Sequence, residues 1–449
     1  MTRPVYVIAG GITKFAKAHP EMDFRLMCKK AFDYAMADVP SLTRDTIDGS
    51  SVSYFSDHFT RQLMAGIMVH DYLGLCPKPS RRIEGGGATG GLNLQNAYQE
   101  VASGRMECCV AVGFETMSHV TTWKGNEFIA LASDTNFDFP VGGFYSGYYA
   151  MMVQRHMHEF GTTVEQMAKV SVKNHANAVH NPYAQFPAKL TVADVRAAEM
   201  VATPLTMLDI CTMSDGAACL IVASEEVAER VCDRPVRISG IGTGTDAMRM
   251  SDRPHGDVLL LPHESAADYA GLKYPGVHSF RAGRAACKAA YAMAGIGDPR
   301  ESLDFVELHD AYTSSEIQTV EDMGLCKYGE GGPYSSAGAT FLPGVDYGLD
   351  LVEAPDLPVN PSGGLLACGH PVGATGLMQG VFALWQLQGT TGKHLDDPTL
   401  QVYARDSADR AERGGAGVAE GGRELPRRGA IHSHAGTGTY VTVSILERP

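Results

Sequence analysis

Short apolar runs alternate with helix-period stretches along the whole chain. Val5-Tyr6-Val7-Ile8-Ala9-Gly10-Gly11 is continuously apolar and closed by glycines, the pattern of a first strand buried on both faces and its turn. Further runs of this kind lie at 47–55, 108–113, 218–223, 303–308, 402–404 and 439–446. Between them, Leu92 to Ser103 carries Leu94, Ala97, Tyr98 and Val101 at helical spacing, and Leu377 to Gln388 repeats the theme. Strands buried on both faces and separated by helices predict a layered α/β fold, with helices covering both faces of each sheet.

The pattern occurs twice. Tyr34-Ala35-Met36-Ala37 recurs as Tyr291-Ala292-Met293-Ala294, each late in an alanine-rich helix that begins near a Cys-Lys pair. Gly87-Ala88-Thr89-Gly90 recurs as Gly373-Ala374-Thr375-Gly376, each opening a helix. Two matches in the same order predict a duplication, with halves at 1–234 and 235–449. The stretch from about 115 to 204, rich in Met, His, Tyr and Phe, interrupts the first half and reads as a loop domain over a site. Residues 328–358 form a second insertion, with three tyrosines. The stretch from Arg405 to Arg428 reads as a solvent loop without chemistry.

Composition narrows the function classes. With 449 residues, 44% hydrophobic and 20% charged, the chain is an ordinary globular protein long enough for two cores. No apolar run approaches the roughly 20 residues of a membrane span. The core pattern starts at Val5, so no secretory leader is expected, and the expected location is cytoplasmic. A net charge of −14 argues against a nucleic-acid partner. Ten cysteines without a CxxC pair fit reduced thiols rather than a zinc site or a disulfide framework.

The most specific stretch runs from Asn360-Pro361-Ser362-Gly363-Gly364 through Cys368-Gly369-His370-Pro371 to Gly373-Ala374-Thr375-Gly376. It resembles the histidine loop of the thiolase superfamily, and of its sterol-carrier-type members in particular. Glu307-Leu308-His309-Asp310-Ala311-Tyr312 resembles that group's His-Asp loop. The resemblance implies a thiolase fold, two βαβαβαββ halves in a five-layer αβαβα core, and a homodimer. It also implies an acyl-CoA substrate, with CoA entering as part of that substrate and no permanently bound cofactor.

The residues support a matching chemistry. His370, between glycine and Pro371 just before a helix, sits on a constrained turn; His309 ends a strand, where α/β sheets place their ligands. Two imidazoles so placed can donate hydrogen bonds to a thioester oxygen as it gains negative charge. The family's nucleophilic cysteine belongs at the start of the first glycine-opened helix, and there the chain has Gly87. Its second cysteine is also missing, from Ile431-His432-Ser433-His434-Ala435-Gly436-Thr437-Gly438. Both departures remove the ping-pong mechanism through an acyl-enzyme.

What remains suits a retro-aldol cleavage of a β-hydroxyacyl-CoA through a non-covalent enolate. Cysteine-free steroid side-chain aldolases of the superfamily work in this way, with tyrosines as acid–base groups and an OB-fold, zinc-ribbon partner. Tyr312, Tyr334 and Tyr347 are the matching tyrosines here, and His434 is a further acid–base candidate. The rival readings are an acyltransferase with a displaced nucleophile, Cys368, and a non-catalytic subunit. Gly87, Asn360, Gly436 and Gly438 are expected to line the substrate. Arg155, Lys169, Lys173 and Lys189 are candidates for the CoA phosphates, the aromatic stretch from Phe137 to Met157 for an acyl pocket, and no metal is expected.

Overall fold

A computed structural model describes residues 3–253, 256–272, 275–405, 419–420 and 423–449. Nine strands form its large sheet: β1 (Val5–Ile12), β2 (Gly49–Ser53), β3 (Ser80–Ile83), β4 (Cys108–Thr116), β5 (Asp215–Ser224), β6 (Val236–Thr245), β7 (Phe305–Glu307), β8 (Arg428–Ala435) and β9 (Tyr440–Glu447). Their order is β3-β2-β4-β5-β1-β6-β9-β8-β7. Strands β2, β3 and β4 are parallel, as are β7 and β8, and the other pairings are antiparallel. Val359 adds an isolated parallel bridge to Val306 beyond β7, so the arrangement of the first five strands recurs in the second half. The two half-sheets meet edge to edge through two residue pairs, Tyr6 with Arg237 and Val7 with Val236.

Alternation along the strands divides the interior into three cores. On β5, Ala218, Leu220 and Val222 face one core, while Ala217, Cys219 and Ile221 face another. On β9, Val441, Val443 and Ile445 belong to a third. Helices α1 (Phe24–Asp38) and α5 (Arg281–Ala294) cover the outer faces of the first and second half-sheets. Helices α2 (Thr89–Ala102) and α8 (Thr375–Gln388) lie between the two, giving the five-layer thiolase fold.

Small residues set the spacing of these layers. A Cβ on Gly242 would stand 1.9 Å from the carbonyl oxygen of Ala286, and one on Gly11 would stand 2.2 Å from that of Ala31. The alanine-rich helices therefore lie directly on glycine-bearing strands, which is the physical content of the repeated tetrapeptide. The second repeat acts likewise: a Cβ on Gly376 would meet the Gly91 nitrogen at 2.1 Å, so α2 and α8 touch where both begin.

Two expectations need correction. Residues 402–404 form no strand; Val402 is held instead by its N–H donating to Gln386 at 2.8 Å. Of the stretch 405–428, residues 406–418 and 421–422 lie outside the described residues. Its end is ordered framework: the N–H groups of Arg427 and Arg428 donate to Asp304 at 2.7 and 3.0 Å, and Arg428 opens β8.

Candidate active site

Past the end of β7 the chain is laced to the glycine-rich loop. Ser362 donates to the Glu307 carboxyl from its hydroxyl at 2.6 Å and from its N–H at 3.1 Å. Leu308 N–H donates to Asn360 Oδ1 at 2.8 Å, and Leu365 N–H donates to Asp310 at 2.6 Å. A Cβ on Gly364, whose φ is +61°, would stand 2.2 Å from Asp310 Oδ2, so the carboxylate itself requires that glycine. Burial raises the Glu307 carboxyl to about 8; burial and then the Glu316 charge raise Asp310 to about 7. This lacing fixes His309, between Leu308 and Asp310. It also fixes the short helix α7 (Gly364–Cys368), which leads directly into His370. His370 N–H is shared by Ser214 Oγ at 3.0 Å and Thr212 O at 3.3 Å.

The imidazoles of His309 and His370 meet edge to face, 4.9 Å apart at 89°. His434, on β8, packs 4.3 Å from His309 on the other side. Nδ1 of each of the three is buried and has no hydrogen-bond partner among the described residues. Burial lowers all three, His370 to about 4, and crowding by the other imidazoles lowers His309 and His434 further. All three rings are therefore neutral at pH 7. Each offers one N–H and one lone pair.

Opposite them stand tyrosines from the loop domain. Tyr149, on α3 (Tyr145–Phe160), places its hydroxyl 2.6 Å from His434 Nε2 and 2.8 Å from the Gly436 carbonyl. Its ring stacks on Tyr312 with centroids 4.0 Å apart, and Tyr312 shares a 3.1 Å hydrogen bond with Ser146. Burial raises the Tyr145, Tyr149 and Tyr312 phenols. A tyrosine acting as a base on its own would need a lowered pKa, and the site does the reverse. These phenols therefore hold their protons at pH 7.

The groups enclose a cavity of about 120 Å³ that Gly87, Tyr145, Tyr149, Tyr312, His309 and His370 help to line. Phe55, Met117, Met213 and Val372 give it an apolar wall. Two larger cavities adjoin it at Ala132 and Gly436. One, of about 260 Å³, is lined by Tyr148, Met248, Met250 and Ser251. The other, of about 510 Å³, is lined by Phe128, Tyr440, Glu84 and Asp246.

The structure sorts the expected site residues. His309, His370, Tyr312, His434, Gly87 and Gly436 converge on the cavity, and the others do not. Cys368 ends a short helix and is fully buried; its Sγ lies 3.8 Å from Asn181 Nδ2. Burial beside Glu307 and Asp310 raises its thiol, and it does not line the cavity. Tyr347 donates to Asn177 at 2.7 Å and accepts from Leu342 N–H at 3.0 Å inside the second insertion. Tyr334 packs on the outer core of the second half. Asn360 supports the His309 segment, and Gly438 lies against Phe280, so neither lines the cavity. Lys173 is no phosphate ligand: it is fully buried, paired with Glu316 at 2.9 Å. Arg155 pairs with Glu159 at 2.8 Å.

Sequence reasoning missed Tyr149 and Cys211. The expected pocket stretch did contain Tyr149, but only its approach to His434 distinguishes it from its aromatic neighbours. Cys211 lines the cavity, and burial raises its thiol. Among the described residues no group of His, Cys, Asp or Glu has metal-site geometry, and no helix is long and apolar enough to cross a membrane.

Profiles of known families decide the kinship. The thiolase N-terminal domain matches residues 5–226, and the thiolase C-terminal domain-like family matches 272–403. The chain belongs to the thiolase superfamily. The acetyl-CoA acetyltransferase of Methanothermobacter thermautotrophicus is 37% identical over 87% of this chain and 92% of its own length. Human sterol carrier protein 2 is 31% identical over 87% of this chain and 67% of its own, in agreement with the sterol-carrier-type resemblance. The benzoylsuccinyl-CoA thiolase subunit BbsB of Thauera aromatica is 29% identical over 90% and 94%. Among solved structures, the Ltp2-ChsH2(DUF35) aldolase superposes with a TM-score of 0.72 at 21% identity, covering 99% of this chain and 98% of that one. These kinships make the protein a thiolase-superfamily enzyme.

Proposed function

We propose that this enzyme cleaves a C–C bond of a β-hydroxyacyl-CoA by a retro-aldol reaction, without an acyl-enzyme. The observation that carries this reading is the junction at Gly87. A Cβ there would stand 2.4 Å from the His434 carbonyl oxygen, so the family's nucleophile is missing and its space is closed. A hydrogen-bonded Tyr149–His434 pair takes its place beside the two imidazoles.

The steps use only groups at the cavity. The β-hydroxyl gives its proton to Tyr149 Oη as the phenol proton moves to His434 Nε2. The Cα–Cβ bond breaks, releasing a ketone or aldehyde. The thioester enolate is held by N–H groups of His309 and His370, neutral donors that need no reorganisation as charge develops. Return of the same proton through Tyr149 to Cα gives the shortened acyl-CoA. Nothing is oxidised and no free CoA is consumed.

The cavities agree with such a substrate. The 260 Å³ branch carries one acid, Asp138, which is paired with Arg249 at 3.8 Å, so it is the less anionic route for a CoA arm. The 510 Å³ branch, bearing Glu84 and Asp246, suits the uncharged group beyond the scissile bond. A homodimer, an OB-fold zinc-ribbon partner, a cytoplasmic location and the division at 234/235 belong to this proposal. The partner is supported by one similar structure being an Ltp2-ChsH2(DUF35) aldolase, and one relative a thiolase subunit.

Cys211 favours a second reading, acyl transfer through that thiol, because it lines the same cavity and relatives are acetyl-CoA acetyltransferases. One experiment separates the two. The enzyme is incubated with β-hydroxyacyl-CoAs in the absence of free CoA, with the carbonyl product and the intact-protein mass both followed. A carbonyl product with unmodified protein supports the lyase. A stoichiometric acyl adduct lost in Cys211→Ala overturns it.

A further inference from the structure

His432 has no task in the scheme above, yet it is 1% exposed and neither ring nitrogen has a hydrogen-bond partner among the described residues. A buried polar group left unpaired costs about 1–3 kcal/mol, and an apolar side chain would avoid that cost. His432 stands two residues before His434 on β8, so both side chains leave the same face of the strand. Their ring centroids are 5.6 Å apart. With His370, 4.9 Å from His309, and His434, 4.3 Å from His309, it completes a row of four imidazoles running inward from the cavity.

His434 is the ring that matters. Its Nε2 is engaged by Tyr149 at 2.6 Å, while its Nδ1 is buried and unpartnered. Tyr149 has one phenolic hydrogen, within reach of both the Gly436 carbonyl at 2.8 Å and His434 Nε2 at 2.6 Å; it can pass to Nε2 only if the neutral ring carries its own hydrogen on Nδ1, on the side away from Tyr149. An acceptor for that N–H would select the tautomer and stabilise the imidazolium once formed. His432, its ring centroid 5.6 Å away on the same strand face and both its nitrogens unpartnered, is placed to supply that acceptor.

We infer that His432 is a positioning residue that accepts the Nδ1–H of His434, directly or through one buried water, and so sets His434 as the proton acceptor for Tyr149. This inference rests on the lyase reading for its kinetic consequence, but not for its structural one. No proton leaves the site: it passes from substrate to Tyr149 and His434 and returns, while His432 only accepts a hydrogen bond.

The test uses the full chain with His432→Phe and His432→Gln, Gln keeping an acceptor that Phe lacks. Nitrogen NMR of 15N-histidine-labelled resting enzyme reports the His434 tautomer without any turnover. Expected are an Nδ1–H tautomer in the wild type and in His432→Gln, and its loss in His432→Phe. For turnover of a β-hydroxyacyl-CoA, kcat in His432→Phe falls at least about tenfold, with KM within about twofold and partial recovery in His432→Gln. An Nε2–H tautomer in the wild type, or a His432→Phe enzyme with unchanged tautomer and kcat, overturns the inference. The expected tautomers without any lyase turnover would overturn the lyase reading and leave His432 in place.

Discussion

The carbonyl oxygen of His434 stands 2.4 Å from where a Cβ on Gly87 would be, and His309 Cε1 stands 3.2 Å from the same point. The first helix opening and the β8 strand have closed on each other across the position where thiolases carry their nucleophile. Restoring the cysteine therefore does not restore a thiolase. Gly87→Cys and Gly87→Ala are each expected to lose about 1–3 kcal/mol of stability through overpacking. Both should lower turnover by displacing His309 or His434, and Gly87→Cys should take no acyl group from acetyl-CoA. Thermal melting and intact-protein mass check both parts.

His309 and His370, as the proposed oxyanion donors, are expected to act on kcat rather than on KM. His309→Ala and His370→Ala should each reduce kcat by about 10²–10³, as removal of one such donor does elsewhere. The double variant should lose less than the product of the two, because both rings serve one oxygen. Steady-state kinetics of the four proteins decide the point; equal losses in KM would assign the rings to ground-state binding.

The cysteines separate the lyase from the acyltransferase. Cys368→Ala, behind the histidine loop and fully buried, should keep its turnover and lose about 1 kcal/mol for the sulfur it no longer packs. Cys211→Ala, within the cavity, should keep kcat within a fewfold and shift KM through lost contact with the acyl group. Loss of turnover by about 10³ in Cys211→Ala would mark it as the nucleophile.

Much of this site is legible in the chain. The glycine-flanked His370 and the strand-end His309 announce themselves because constrained turns and strand ends are local features. The duplicated glycine openings likewise foretell two helices; their contact shows only in the structure, where a Cβ on Gly376 would stand 2.1 Å from the Gly91 nitrogen. What is not legible depends on contacts far apart in sequence. Tyr149 acquires its role from His434, 285 residues away. Cys368 and Lys173 look reactive as letters and only the structure shows them buried, the first at the end of α7 and the second against Glu316.

Stability, but not activity, should fall on the alkaline side. The three active-site imidazoles are lowered, His370 to about 4, so kcat should stay level from pH 8 to pH 5 and fall only near pH 4. Stability is different. Burial raises Glu115 and Glu307 to about 8, well above the unfolded value near 4.3. Their contribution is full below that unfolded value and is lost as pH rises through about 8. The buried histidines work the other way: their contribution is present above the unfolded pKa of about 6.5 and is lost as pH falls toward their folded values. Melting temperature should therefore peak near pH 6–7 and fall on both sides, while kcat shows no matching alkaline loss. Melting curves and rates measured across one buffer series test this.

Asp310 joins the two histidine segments and should reveal itself in both stability and rate. Its carboxyl accepts from Leu365 N–H at 2.6 Å, from Leu366 N–H at 3.4 Å and from Asn174 Nδ2 at 2.7 Å, while the next residue back is His309. Asp310→Ala leaves those buried donors unpaired and should cost about 3 kcal/mol or more, read by urea unfolding. It also frees α7, and with it His370, from the His309 strand, so kcat should fall by about tenfold or more with KM nearly constant. Asp310→Asn retains an acceptor for Leu365 but turns an amide toward Asn174, and should fall between the two. A stability loss in Asp310→Ala with kcat unchanged would show that His309 and His370 hold their spacing without this link.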